Sequence, residues 1–277
     1  MRMTMSRLID RLIASPRAVL VATILWVAIP VTLVLEGLPR LSVAISHSIP
    51  VAYEKRLGEF ILGQLSFLMA RESSKEPLER QRRLQQRFAD MAIRANLPNT
   101  QLLIRTGPVN ALALPGNTIV LMDGLVKRLN DDQVMAVVAH ELGHLHHRHV
   151  MQRIVSIGML EGVIESLAGG NSQAAKVGSL FSSALLSSAY TRAQETQADT
   201  YAIELLKAQS ESGLAYAQAL QFFLVYEKQQ NAVSGGWASS HPSTQERLDK
   251  AMSQAGSTTI SLTCRLDAEN QSKFVCQ

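Results

Sequence analysis

Cysteine is nearly absent: Cys264 and Cys276 are the only two in 277 residues. That excludes a disulfide-dense scaffold and any metal site built from cysteine alone. Aromatic residues make up 5% and charged residues 18%. With 47% apolar residues the chain is no disordered segment, and 16 Gly and 9 Pro give no collagen-like or low-complexity bias. A strong charge of one sign is also lacking. The net charge is +4, and residues 1–17 hold Arg2, Arg7, Arg11 and Arg17 against Asp10, so the remainder is nearly neutral. No nucleic-acid partner is expected. The length allows one large domain plus an appendage, and there is no internal repeat.

One long uncharged run is present. Residues 18–35 read AVLVATILWVAIPVTLVL. A hydrocarbon core about 30 Å thick is spanned by roughly 17–25 apolar helical residues. Residues 18–36 therefore read as a transmembrane anchor, with residues 1–17 as its cytoplasmic basic flank. The arginines before the run place everything after it across the membrane. A cleaved signal peptide has the same polarity, and Ser42-Val43-Ala44 resembles a cleavage site. The run is long for a signal, which favours an uncleaved anchor. The Arg-rich start also fits a mitochondrial targeting segment. The expected location is thus a bacterial inner membrane, single-pass, with the main domain in the periplasm; the alternative is the mitochondrial inner membrane. Cys264 and Cys276, in a tail at 255–277, are close enough for a small disulfide loop in such a compartment.

Residues 37–98 read as a helical N-terminal segment. Within it, Leu84, Phe88, Met91 and Ala95 form an apolar face at spacings of three and four, and the arginines between them read as a solvated face. Asn96 to Asn99 end that helix. Residues 101–106 and 109–122 are the strand region, with a turn at Pro115-Gly116-Asn117. Asn130, Asp131 or Asp132 can cap the next helix. Residues 154–168 and 174–190 suggest an amphipathic helical hairpin, on the core or at a membrane surface.

His140-Glu141-Leu142-Gly143-His144 fits H-E-x-x-H. Chance gives about 0.01 such matches at these His and Glu frequencies, so the pattern is informative. On a helix, residues i and i+4 stack on one face, so both imidazoles can bind one ion. Glu141 lies about 100° round from His140 and can serve a water beside the ion rather than the ion itself. Five of the seven histidines fall within residues 140–149, so a metal-storage tract is the plainer alternative.

Zinc in a hydrolase usually keeps three protein ligands and an open position. The metzincin pattern fails here, because His147 and Val150 stand where it needs Gly and His. A carboxylate from a second helix is the other solution. In residues 190–209, Glu195 and Asp199 are i,i+4 partners and can face the first helix together. Glu195 is the candidate third ligand, and Asp199 can accept a hydrogen bond from a ligand imidazole and fix its tautomer. His241-Pro242 follows Ser234-Gly235-Gly236-Trp237. His241 can donate to the oxyanion of a tetrahedral intermediate, or swing in and fill the open metal position.

Four blocks together resemble the HtpX and CAAX prenyl protease family of zinc metallopeptidases, family forty-eight. They are Asn110 to Gly116, His140 to His149, Glu195 to Asp199, and His241-Pro242-Ser243 with Arg247-Leu248. The resemblance implies an α+β, predominantly helical zincin-like (minigluzincin) core with a small sheet, at residues 99–254. It implies one zinc ion on His140, His144 and Glu195, with Glu141 as base. With one convincing span, the layout is closest to the family's periplasmic BepA- and LoiP-like members. The expected function is a membrane-anchored zinc endopeptidase acting on misfolded or envelope polypeptides. A substrate would lie extended along the strand Asn110, Ala111, Leu112, Ala113 and Leu114. The alternative is a non-catalytic chaperone or scaffold of the same fold with structural zinc.

Overall fold

The computed structural model describes residues 15–32, 36–68, 74–167, 189–208, 213–229, 236–242, 244–256, 264–266 and 274–276. The first fourteen residues of the basic flank, the second arm of the expected hairpin at 174–188, Ser234-Gly235 and Ser243 lie outside them.

Helix α1 (Pro16–Thr32) carries residues 18–32 of the apolar run, and residues 33–35 lie outside the described residues. Its 17 residues rise about 25 Å. Among the described residues, no helix is long and apolar enough to cross a membrane. Helices α2 (Leu38–Ser48), α3 (Val51–Leu68) and α4 (Leu78–Arg94) follow. In α4 the expected face is buried: Leu84, Phe88 and Met91 point inward, and Asn96, with φ at 56°, turns the chain out of the helix. Of the arginines of α4, Arg82, Arg83 and Arg94 are exposed, as on a solvated face, whereas Arg80 and Arg87 are half-buried. Arg80 and Arg83 bond to Asp131, and Arg87 bonds to Asp132. Arg80 also donates to the carbonyls of Val126 and Leu129. The cause is the acidic first turn of the helix that carries the His motif, which presents two carboxylates to this face.

Strands β1 (Gln101–Arg105), β2 (Ala111–Leu114) and β3 (Thr118–Met122) form one sheet in the order β1-β3-β2. The hairpin β2–β3 is antiparallel, whereas β1 pairs with β3 in parallel. Gly116 and Asn117 take positive φ, 74° and 60°, which glycine and asparagine tolerate best. A short helix α5 (Asp123–Val126) leads to α6 (Asp131–His146). Of the three candidate caps, Asn130 starts α6: it accepts from Gln133 N at 2.9 Å while Gln133 Oε1 accepts from Asn130 N.

Helix α7 (His149–Leu167) begins after Arg148, whose φ is 57°. Helices α8 (Arg192–Ala208), α9 (Leu214–Gln229), α10 (Trp237–Ser240) and α11 (Gln245–Gln254) complete the core. Strands β4 (Cys264–Leu266) and β5 (Phe274–Cys276) pair antiparallel, with Cys264 opposite Cys276. The core sits between the sheet and α4, α6, α8 and α9, and Val134 to Ala139 of α6 are wholly enclosed in it. The described residues are thus α+β and mostly helical with a small mixed sheet.

Candidate metal centre

Helices α6 and α8 cross at Gly143. A Cβ there would lie 2.9 Å from Ala198 Cα and 3.0 Å from Ala198 O. Glycine is therefore what lets the two backbones approach closely enough to share a site. Thr191 and Gln194 cap α8 reciprocally, Gln194 N donating to Thr191 Oγ1 and Thr191 N to Gln194 Oε1. That start places Glu195 in the first turn, facing α6.

His140, His144, Glu195 and His241 each bring one ligand atom to a common point, all within 4.8 Å of one another. His140 Nε2 and His144 Nε2 are 3.0 Å apart. Glu195 Oε1 is 3.3 Å from His144 Nε2 and 3.1 Å from His241 Nδ1. His241 Nδ1 is 3.3 Å from His140 Nε2. All four side chains are buried. Lone pairs crowded this closely repel unless a cation lies among them, and three imidazoles with one carboxylate suit zinc. Beside the cluster, both carboxylate oxygens of Glu141 are buried without a hydrogen-bond partner. His241 Nε2 lies 3.3 Å from Glu141 Oε1.

The electrostatics favour metal-binding forms. Burial holds His144 well below the usual imidazole range, so its ring nitrogen keeps a free lone pair. For Glu195, burial works to raise the pKa, but His241 and His144 outweigh it and hold the carboxyl well below its ordinary value. Burial also opposes ionisation of Asp199, yet the His140 hydrogen bond and the Arg247 charge pull it down to about 2.

Asp199 Oδ1 lies 3.1 Å from His140 Nδ1. Its own supports carry no local signal in the sequence. Arg247 grips Asp199 through Nε at 2.9 Å and Nη2 at 2.7 Å, and its Nη1 lies 2.6 Å from Glu195 Oε2. The Tyr216 hydroxyl, 2.9 Å from His140 Nδ1, donates to Asp199. Tyr190 stacks on His144 at 3.8 Å, and Trp237 stacks on His241 at 4.2 Å. A cavity of about 350 Å³ opens on the Glu195 side, walled by Tyr190, Arg192, Pro242 and Arg247 among others.

The strand residues Asn110 to Leu114 lie on the edge of the sheet, against α6, and all are buried. Trp237 N donates to Val109 O at 3.1 Å just before that edge. His146 and His147 stay out of the cluster; His146 stacks on Tyr201 and His147 on His149.

A helix-borne histidine pair, a carboxylate from a crossing helix and an adjacent buried Glu form a group that could hold a metal ion, as a metallopeptidase centre requires. Residues 78–255 match the model of peptidase family M48, and the chain belongs to that family. The metalloprotease LoiP of Escherichia coli (strain K12) is 28% identical over 144 residues, covering 50% of this chain and 56% of LoiP. A protease HtpX homolog of Burkholderia mallei (strain SAVP1) is 27% identical over 205 residues, covering 60% of this chain and 72% of its own.

Proposed function

We propose that this chain is a membrane-anchored zinc endopeptidase that cleaves unfolded or envelope polypeptides. The observation that carries the reading is the carboxylate of Glu141, buried beside the four-atom cluster with no hydrogen bond and only His241 Nε2 at 3.3 Å facing it. A purely structural zinc site has no use for such a group, which is costly to bury without a hydrogen bond. His140, His144 and Glu195 would hold the ion. Zinc, when bound, supplies Lewis acidity toward the scissile carbonyl and acidifies water.

The chain's own residues do the rest. Glu141 takes a proton from the attacking water as its oxygen bonds to the carbonyl carbon. Glu141 then passes that proton to the amine nitrogen as the C–N bond breaks, leaving an amine and a carboxylic acid, which ionises by losing its proton to water. Asp199, braced by Arg247 and Tyr216, fixes the tautomer of His140.

His241 has two positions in this reading. In the one described, its Nδ1 completes a four-donor set and its Nε2 faces Glu141, which leaves no corner for substrate. Moved outward on its loop, it can donate to the oxyanion. The same segment occupies Val109 O through Trp237, so its withdrawal also frees the start of the edge strand for an extended substrate. The cavity beside Glu195 has room for a substrate side chain.

Membrane anchoring is supported by α1, whose apolar side chains are exposed all round it; Trp26 is 78% and Leu20 61% exposed. With the Arg-rich flank before it, the domain would face the periplasm, or the equivalent side of a mitochondrial inner membrane.

A second reading is a chaperone or scaffold with structural zinc. The four-donor set favours it, since structural zinc has four protein ligands. Glu141→Gln separates the two. The variant is expected to keep one zinc per chain and lose about 10²–10⁴-fold of casein-cleaving activity. Cleavage at the wild-type rate would sink the mechanism.

A further inference from the structure

The two ligand imidazoles present Nε2 to the centre, but their opposite nitrogens meet different partners. His140 Nδ1 faces a carboxylate, Asp199 Oδ1 at 3.1 Å. His144 Nδ1 faces a second imidazole, His149 Nδ1 at 3.0 Å. The contact chain continues, because His149 Nε2 lies 2.9 Å from Gln197 Oε1. His149 is 1% exposed. It is the first residue of α7, and the left-handed turn at Arg148 is what brings it back beside His144. Gln197 sits on α8 midway between Glu195 and Asp199, so one helix supplies a ligand, a carboxylate partner and the end of this chain of contacts.

Proton positions follow from the ligand role. A His144 that offers the Nε2 lone pair to a metal carries its proton on Nδ1. That proton points at His149 Nδ1, which must be bare to accept it. His149 then carries its own proton on Nε2 and donates it to Gln197 Oε1. Each group in the series is fixed in one tautomer by the next.

We propose that His149 and Gln197 form a neutral relay that orients His144 and leaves it the weaker of the two imidazole donors to zinc. A carboxylate draws the Nδ1 proton toward itself and strengthens Nε2 as a donor. A neutral imidazole ending on a carboxamide does so less. His140 is therefore the firm ligand and His144 the yielding one. His149 and Gln197 are positioning residues that touch neither the ion nor substrate. The inference rests on the metallopeptidase reading above.

Gln197 is exposed, so its variants should fold. Zinc affinity is measured by competition with a chromophoric chelator, using the whole chain. Gln197→Glu turns the relay into an anionic one and is expected to tighten zinc about 3–10-fold, and Gln197→Leu to weaken it by a similar factor. His149→Ala is expected to weaken zinc about 10–100-fold. In the His149→Ala background the gain from Gln197→Glu should vanish. With cobalt in place of zinc, the two Gln197 variants should move the ligand-field absorption in opposite directions.

The relay is overturned if both Gln197 variants match wild type or shift affinity the same way. It is also overturned if the Glu gain persists without His149, since the effect is then charge acting through space. A wild-type chain that binds no zinc defeats the metallopeptidase reading itself, and the relay with it.

Discussion

Two helices of this chain are both rich in apolar residues and live in opposite surroundings. In α6, Val134 to Ala139 are wholly buried, as are His140, Glu141 and His144 one turn further on. In α1, Val19, Leu20, Val21, Ile24, Leu25, Trp26 and Val27 are all exposed. Apolar content alone does not separate the two; what surrounds the helix does. Around α6 the sheet, α4, α8 and α9 exclude water, and that exclusion lets a carboxylate and imidazoles interact at low dielectric. Around α1 the described chain supplies no cover, and a bilayer is the apolar medium proposed to supply it.

The contrast can be broken experimentally at either helix. The largest effect is expected within α6, where Glu141→Gln removes the proposed base and should leave the cluster intact. Next comes the contact that holds α6 to α8. Gly143→Leu forces a side chain into the Ala198 backbone, which is already within 3.0 Å of a Cβ at that position. Overpacking of this kind costs roughly 1–3 kcal/mol. Thermal unfolding should shift downward by several degrees, and zinc should be released at lower chelator concentration. A Gly143→Leu chain with wild-type melting and zinc retention would mean the helices are not held at this distance.

A charge in α1 tests the other side. Val21→Arg and Leu25→Arg should each move protein from the membrane pellet to the soluble fraction, a central arginine costing roughly 2.5–3.5 kcal/mol on insertion scales. Melting temperature and casein cleavage should stay as in wild type. A large drop in melting temperature would instead make α1 part of the core. The smallest effect is expected in the tail. Because Cys264 and Cys276 stand opposite each other across β4 and β5, thiol titration of unreduced protein should find neither, and reduction should release two with little change in melting. Two thiols before reduction would remove the disulfide and its support for an oxidising compartment.

What the sequence made legible was whatever its own spacing encodes. His140, His144 and Glu141 share one helical turn, Glu195 and Asp199 share another, and the Pro115–Asn117 turn lies between two apolar runs. Each is a local pattern, and in the structure His140, His144 and Glu195 lie side by side. The parallel pairing of β1 with β3 was not legible, because nothing local states which strand lies in the middle. Tyr216, Tyr190 and Trp237 each arrive from a separate element, and a lone aromatic has no spacing to betray it. Arg247 carried a signal in the His241-Pro242 block, but only the fold shows it gripping Asp199 and reaching Glu195. The solvated face of α4 was legible, with Arg82, Arg83 and Arg94 exposed, but the bonds of Arg80 and Arg87 were not, because their partners, Asp131 and Asp132, are more than forty residues away.

Arg148 joins parts of the chain that composition would keep separate. From the turn between α6 and α7, its guanidinium holds the carbonyls of Ser46 and Ile49 and the carboxylate of Glu54. Those acceptors belong to the helices that follow α1. The segment between α6 and α7, next to His149 and to the end of the helix bearing both imidazoles, is thereby tied to α2 and α3, and α2 also packs along α7.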